Sequence, residues 1–277
     1  MSPSLSTAFQ RAGIPVEVAE GPLRQVNRDI FQLDIAREPA ERVRLWPGAS
    51  DNCVETLSAD PSLGQLVLAV WEPKRPYEDR IRIREGRVTR ADIEAFLQEG
   101  GGGRVLRPKG SSWLVERYTE PAERRFLVGF DQRHLFAAQV TSGDSVREAH
   151  EALKPLEVRA ADERWPGQIV RQGEWFFAPT TPSELSEVRG SLMPGRWGLG
   201  GRGRLPGGGE PHWAESLVSL QGEPDLDTGR RRARFFVRGT VHHRDHRTVC
   251  FDRWRRVHLN AAVRRRSDLA RGFYWID

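Results

Sequence analysis

The clearest alternation of apolar and polar positions lies in the middle of the chain. Phe126-Leu127-Val128-Gly129-Phe130, a polar Asp131-Gln132-Arg133 and then His134 to Val140 predict a β-hairpin with a short turn. Ser145 and Glu148 have capping-box spacing, and Val146, Ala149 and Leu153 fall on one face of the helix they open, which Pro155 ends. Upstream, Ile30 to Ile35 and the apolar run Gln65 to Trp71 predict strands. Thr89 and Asp92 predict a helix start, Ile93, Phe96 and Leu97 its buried face, and Gly100 to Gly103 its end and a flexible joint. Arg171 to Phe177 predicts a tight turn running into an aromatic strand.

From Pro179 to Pro211 the pattern breaks. Nine Gly and five Pro in that stretch predict a linker, lid or Ω-type loop without helix or ladder. Strands return at Arg234 to Val241, with Phe235, Val237 and Val241 on one face and Arg234, Arg238 and Thr240 on the other. A turn at His242 to His246 follows, then strands at Arg247 to Phe251 and Trp254 to Leu259. Val257 and Leu259 share a face opposite Trp254, Arg256 and His258. The fold class these elements predict is α+β, mainly antiparallel β with a few short capped helices. Two regions are expected: an α+β region over 1–165, and a basic β-rich region over 166–277 containing the Gly/Pro-rich loop 179–211.

Composition sharpens this picture at one point. The chain is 29% charged and 38% hydrophobic, and nine Trp and twelve Phe provide core material. Of 43 basic residues only Lys74, Lys109 and Lys154 are lysine. Net charge is −2 over residues 1–165, +7 over 166–277 and +10 over 228–277 alone. That asymmetry predicts an anionic partner, nucleic acid first, contacted by Arg234, Arg238, Trp254, Arg255 and Arg256. Gly198 to Arg204 resembles a short RGG-like tract of the same tendency. No apolar run approaches the roughly 20 residues of a membrane span, and Met1 to Gly13 shows no secretory pattern, so a cytoplasmic location without membrane partners is expected. Cys53 and Cys250 are too sparse for a disulfide framework and read as buried thiols.

Five of seven histidines lie after residue 211. His243, Asp245, His246 and His258 form the candidate catalytic set, with His212 the first candidate for an additional member. Neutral imidazole ligates metals and takes protons near neutral pH, and a carboxylate orients it. The set is therefore compatible with a divalent metal or with metal-free acid–base chemistry. Known templates fit poorly. An HNH-type nuclease needs a further His after Asn260, a zinc deaminase needs His-x-Glu and a downstream Pro-Cys-x-x-Cys, whereas His212 has Glu only at 215 and no such motif follows, and a cupin needs a spaced Glu and a later His. Walker A and GxSxG are absent.

The segments Phe126 to Phe130, His134 to Val140, Val146 to Pro155, Arg171 to Phe177, and Val237-Arg238-Gly239-x-Val241 through Asp245-His246 and Trp254 resemble a family of uncharacterised bacterial proteins. The resemblance covers residues 25–260 and implies a bacterial origin, with no activity attached. Three functional readings stay open. The first is a nucleic-acid-associated accessory protein using the arginine surface. The second is a metal- or histidine-dependent hydrolase of phosphodiesterase or nuclease type. The third is a scaffold subunit meeting protein partners.

Overall fold

The computed structural model describes residues 3–23, 28–82, 89–99, 103–110, 112–118, 121–192, 201–206, 211–224 and 231–262. About half the residues are in strands and a fifth in helices, an α+β fold dominated by antiparallel sheets.

Helix α1 (Pro3–Arg11) leads into a small sheet of β1 (Val16–Val18), β2 (Gln32–Ala36) and β3 (Arg42–Trp46), with β3 central. β4 (Cys53–Asp60) and β5 (Gln65–Glu72) belong to a second sheet. β6 (Pro76–Arg82), α2 (Arg90–Glu99), β7 (Gly103–Lys109) and β8 (Ser112–Tyr118) form a separate three-stranded unit with one helix. β9 (Ala122–Asp131) and β10 (His134–Val140) complete the second sheet in the order β10-β9-β5-β4. The hairpin turns at Asp131–His134, where Gln132 takes φ +62°.

The inner strand β5 of the second sheet is buried on both faces over most of its length, which is why Gln65 to Val70 reads as an unbroken apolar run. Leu66, Leu68, Phe126 and Val128 face α1, β2 and β3, while Val67, Leu127, Phe136 and Ala138 face the helices that follow. Those are α3 (Val146–Leu153), with its Ser145/Glu148 capping box, and α4 (Leu156–Arg164). Phe176 and Ala262 join this second core, so the packing runs across the expected boundary near residue 165.

A six-stranded antiparallel sheet then takes β11 (Val170–Gln172), β12 (Trp175–Pro179), β13 (Gly201–Arg204), β14 (Trp213–Pro224), β15 (Arg231–His242) and β16 (Val249–Leu259) in the order β11-β12-β16-β15-β14-β13. A φ of +80° at Gly239 accompanies a register shift in β15. Three strand steps separate β12 from β14, roughly 14 Å in a flat sheet. Yet the Trp175 ring lies 6.4 Å from the His212 ring at the head of β14. The sheet is curled around its inner core of Trp175, Phe177, Ala214, Val237, Val241 and Phe251.

Two expectations are corrected. The stretch 179–211 is not free of regular structure: α5 (Pro182–Ser191) and β13 both lie inside it. Thr181 accepts from the Glu184 N–H while the Glu184 carboxylate accepts from the Thr181 N–H, a complete capping box with Pro182 as first helical residue. Residues 193–200 and 207–210, including the start of the RGG-like tract, lie outside the described residues, as do Gly100 to Gly102. Neither cysteine is buried. Cys250 alternates with buried Phe251 and so points outward, and Cys53 opens the edge strand β4. Among the described residues no helix is long and apolar enough to cross a membrane.

Candidate functional site

Strand alternation assembles the site. Ala214 of β14 pairs with Val241 of β15, and both side chains enter the inner core of the curled sheet. Two residues out from each, on the same face, come His212 and His243. The intervening rung, Trp213 paired with His242, points the other way, to the exposed side. The Leu205 N–H donates to the His212 carbonyl at 2.9 Å and ties the loop before β14 to the end of β13. The β15–β16 turn then brings His246 back over His243.

The three imidazoles form a buried stack. Ring centroids are 4.1 Å apart for His212 and His243, 4.7 Å for His243 and His246, and 5.8 Å for His212 and His246. Their exposures are 2%, 3% and 6%. One ring nitrogen from each lies within 4.8 Å of the others. Zinc bound tetrahedrally at 2.0–2.1 Å sets its nitrogens about 3.3 Å apart, so at most about 1.5 Å of closure per pair separates this stack from a coordinating trio. Among the described residues no fourth His, Cys, Asp or Glu joins the group.

Neighbouring segments hold the turn in place. The Asp245 N–H donates to His243 Nδ1 at 3.1 Å. The Gln172 side chain donates to the Arg247 carbonyl at 2.7 Å, and the Gln132 side chain accepts from the Arg247 N–H at 2.7 Å. The turn between β11 and β12 closes the site from above. Gly173 takes φ +58°, and a Cβ on it would sit 2.6 Å from His246 Nε2. A side chain there is therefore excluded twice, by backbone conformation and by the ring.

The expected catalytic set divides. His243 and His246 converge, with His212 as the third member. Asp245 does not join the imidazoles; its carboxylate pairs with Arg37 at 3.6 Å. His258 is on the wrong face. It pairs with Phe176 across β16–β12, and alternation turns both away from the inner core towards α4. Burial and then the Arg256 charge lower the His258 pKa from 6.5 to about 4, so it is neutral near pH 7. His150 is lowered to about 4 in the same way, by burial and then by Arg171. An Arg171 N–H on its Nδ1 at 2.9 Å leaves the His150 proton on Nε2, 2.7 Å from the Gln65 carbonyl oxygen, a structural role.

The arginine surface expected for nucleic acid is largely engaged within the protein. Arg234 pairs with Glu187, and Arg256 with Glu184 at 2.5 Å, both carboxylates on α5. Trp254 is buried beneath that helix with Val188, Val218 and Phe236. Arg255 donates to the Gln168 carbonyl at 3.0 Å, and Arg238 lies 5.2 Å over the Trp254 ring. A different set of arginines stands at the histidines. His246 borders a cavity of about 690 Å³ whose walls include Arg133, Arg244 and Arg247, all exposed.

Sequence reasoning missed Gly173, Gln172 and Gln132 as supports. A glycine between Gln172 and Glu174 ahead of an aromatic strand was the one available signal, and only for the turn. No protein-family model, curated protein or solved structure matches this chain.

Proposed function

We propose that His212, His243 and His246 hold a zinc ion and that the protein is a zinc-dependent hydrolase. The observation that carries this reading is the convergence of three buried imidazoles, His212 from before β14 and His243 and His246 from after β15, with nitrogens within 4.8 Å of one another. Imidazole nitrogen suits zinc among the common divalent ions, and among the described residues no fourth protein ligand joins the trio, which matches the open coordination of catalytic rather than structural sites. Zinc bound there supplies a Lewis acid and water acidified to near neutrality.

The protein's own groups supply the rest. His212 and His243 anchor from the buried end, and His246 stands between them and the cavity. The Asp245 N–H on Nδ1 leaves the proton of neutral His243 on Nε2, so coordination through Nδ1 exchanges that hydrogen bond for a metal bond. In hydrolysis the water oxygen forms the new bond to the electrophilic centre and the bond to the leaving oxygen breaks. The proton given up by water ends on the leaving group, so no redox partner is needed.

Metal analysis of untagged protein is the test. One zinc per chain is expected, or one cobalt after exchange with the visible absorption of a four-coordinate site. His212→Ala and His243→Ala should lose the metal and His258→Ala should keep it. A folded protein that takes up neither ion overturns the proposal.

A further inference from the structure

We infer that the cavity beside His246 binds a phosphoryl group, which makes phosphate esters the substrate class of the proposed zinc centre. Arg133, Arg244 and Arg247 line it, all three are exposed, and among the described residues none has an acidic partner. Other arginines of this half are engaged within the fold: Arg234 has Glu187, Arg256 has Glu184, Arg255 donates to the Gln168 carbonyl and Arg238 lies over Trp254. The one carboxylate in the cavity wall, on Asp245, is already paired with Arg37. His134, also in the wall, lies 3.7 Å from Glu41, which does not line the cavity. The walls are Gln132, Arg133, His134, Arg244, Asp245, His246 and Arg247, so every lining side chain carries a polar or charged group that can orient an anion.

Planar guanidinium forks match phosphate oxygens two at a time, and an unneutralised group of three focuses an anion into the recess. The volume, about 690 Å³, suits a small ester or one nucleotide unit of a longer strand. The turn that carries Arg244 and Arg247 also carries His243 and His246, so the anion subsite and the metal ligands share one rigid loop. A phosphoryl group held by the arginines would lie beside His246, where the ester oxygen can meet the activated water.

Assignment of this subsite to a substrate rests on the zinc reading, whereas anion binding does not, and the experiment separates them. Inorganic phosphate is titrated calorimetrically into zinc-loaded and chelator-stripped wild-type protein, with acetate as the control anion. The same titrations are run on the variant carrying Arg133→Gln, Arg244→Gln and Arg247→Gln, with zinc content and thermal unfolding measured in parallel. Stripped wild-type protein should bind phosphate in preference to acetate. The variant, with unfolding and zinc content unchanged, should bind it at least about tenfold more weakly, since each lost charged hydrogen bond is worth about that factor. Phosphate bound no better than acetate, or equally by wild type and variant, overturns the inference even if zinc is present. Phosphate binding without any zinc uptake keeps the anion site and removes the hydrolase reading. A 5′-mononucleotide and a short single-stranded oligonucleotide form the last arms. Steeper salt dependence for the oligonucleotide identifies a polynucleotide source of the phosphate, and equal dependence a small-molecule source.

Discussion

Replacing Gly173 by alanine probes the closure of the histidine stack. Two costs can be worked out separately. At φ +58° an L-residue pays about 1–2 kcal/mol for the left-handed conformation. The new methyl would stand 2.6 Å from His246 Nε2, against 3.4 Å for ordinary contact, so ring or turn must give by about 0.8 Å. His246 has little room to retreat, because His243 lies behind it at 4.7 Å. Overpacking of this kind costs about 1–3 kcal/mol, for a total of about 2–5 kcal/mol. Urea denaturation of wild type, Gly173→Ala, His246→Ala and the double variant forms the cycle that isolates the contact. With the ring removed, the alanine should cost only the backbone share, about 1–2 kcal/mol. An equal penalty in both backgrounds would refute the contact, and a total penalty under about 0.5 kcal/mol would refute the backbone argument as well.

Three further outcomes follow from other sites. His150 and His258 are neutral in the fold, with pKa about 4 against an ordinary 6.5, so the unfolded chain binds protons first. Their stabilisation is complete above pH 6.5 and lost as pH falls towards 4, by roughly 2–3 kcal/mol each after allowing for partial exposure. Denaturation at pH 7.5 and 4.5 should show a smaller acid loss in His258→Gln than in wild type, and an equal loss would contradict the assignment. Arg124 and Glu72 form a buried pair at 2.6 Å, and the same carboxylate accepts the Phe31 N–H at 2.7 Å. Arg124→Ala should cost about 3–5 kcal/mol by guanidinium denaturation because it strands the carboxylate, and a loss below 1 kcal/mol would rule out that account. Arg256→Ala should weaken α5 docking by about 1–3 kcal/mol and speed proteolysis within 182–191, since Glu184 is buried and Arg256 bonds it. Unchanged cleavage there would mean that apolar packing alone holds the helix.

The strands and helices that pack on the second sheet were legible because period and caps agreed. Asp131-Gln132-Arg133 turns as its polarity indicates, and Ser145/Glu148 caps α3 with both hydrogen bonds formed. The same capping signal stands at Thr181 and Glu184, with Pro182 in first place. Glycine density across 179–211 obscures it, because α5 occupies only ten residues at the start of a stretch whose glycines lie mostly beyond it. In the site, alternation was enough to place His212 and His243 on one face once Ala214 and Val241 are paired, but that pairing joins residues far apart in the chain. His258 was excluded by its own alternation with Val257, since the curled core takes the odd residue. Charge counting found the excess of arginine but not where it is free. Arg234 and Arg256 meet acids on α5, the helix hidden in the glycine-rich stretch, while Arg133 and Arg244 stand together only because two distant turns meet.

Gln132, Arg37 and Gln172 reach the histidine turn from earlier parts of the chain, and all three precede its two histidines in the order of synthesis. A ribosome delivers the β9–β10 hairpin and the β11–β12 turn well before residue 243 emerges. The receptacle is thus made before its contents. His243 and His246 are the last of these parts to arrive, and they come as one short turn that can dock in a single step. A chain stalled before residue 240 carries only His212 of the three, so the stack forms only once the turn after β15 has been made.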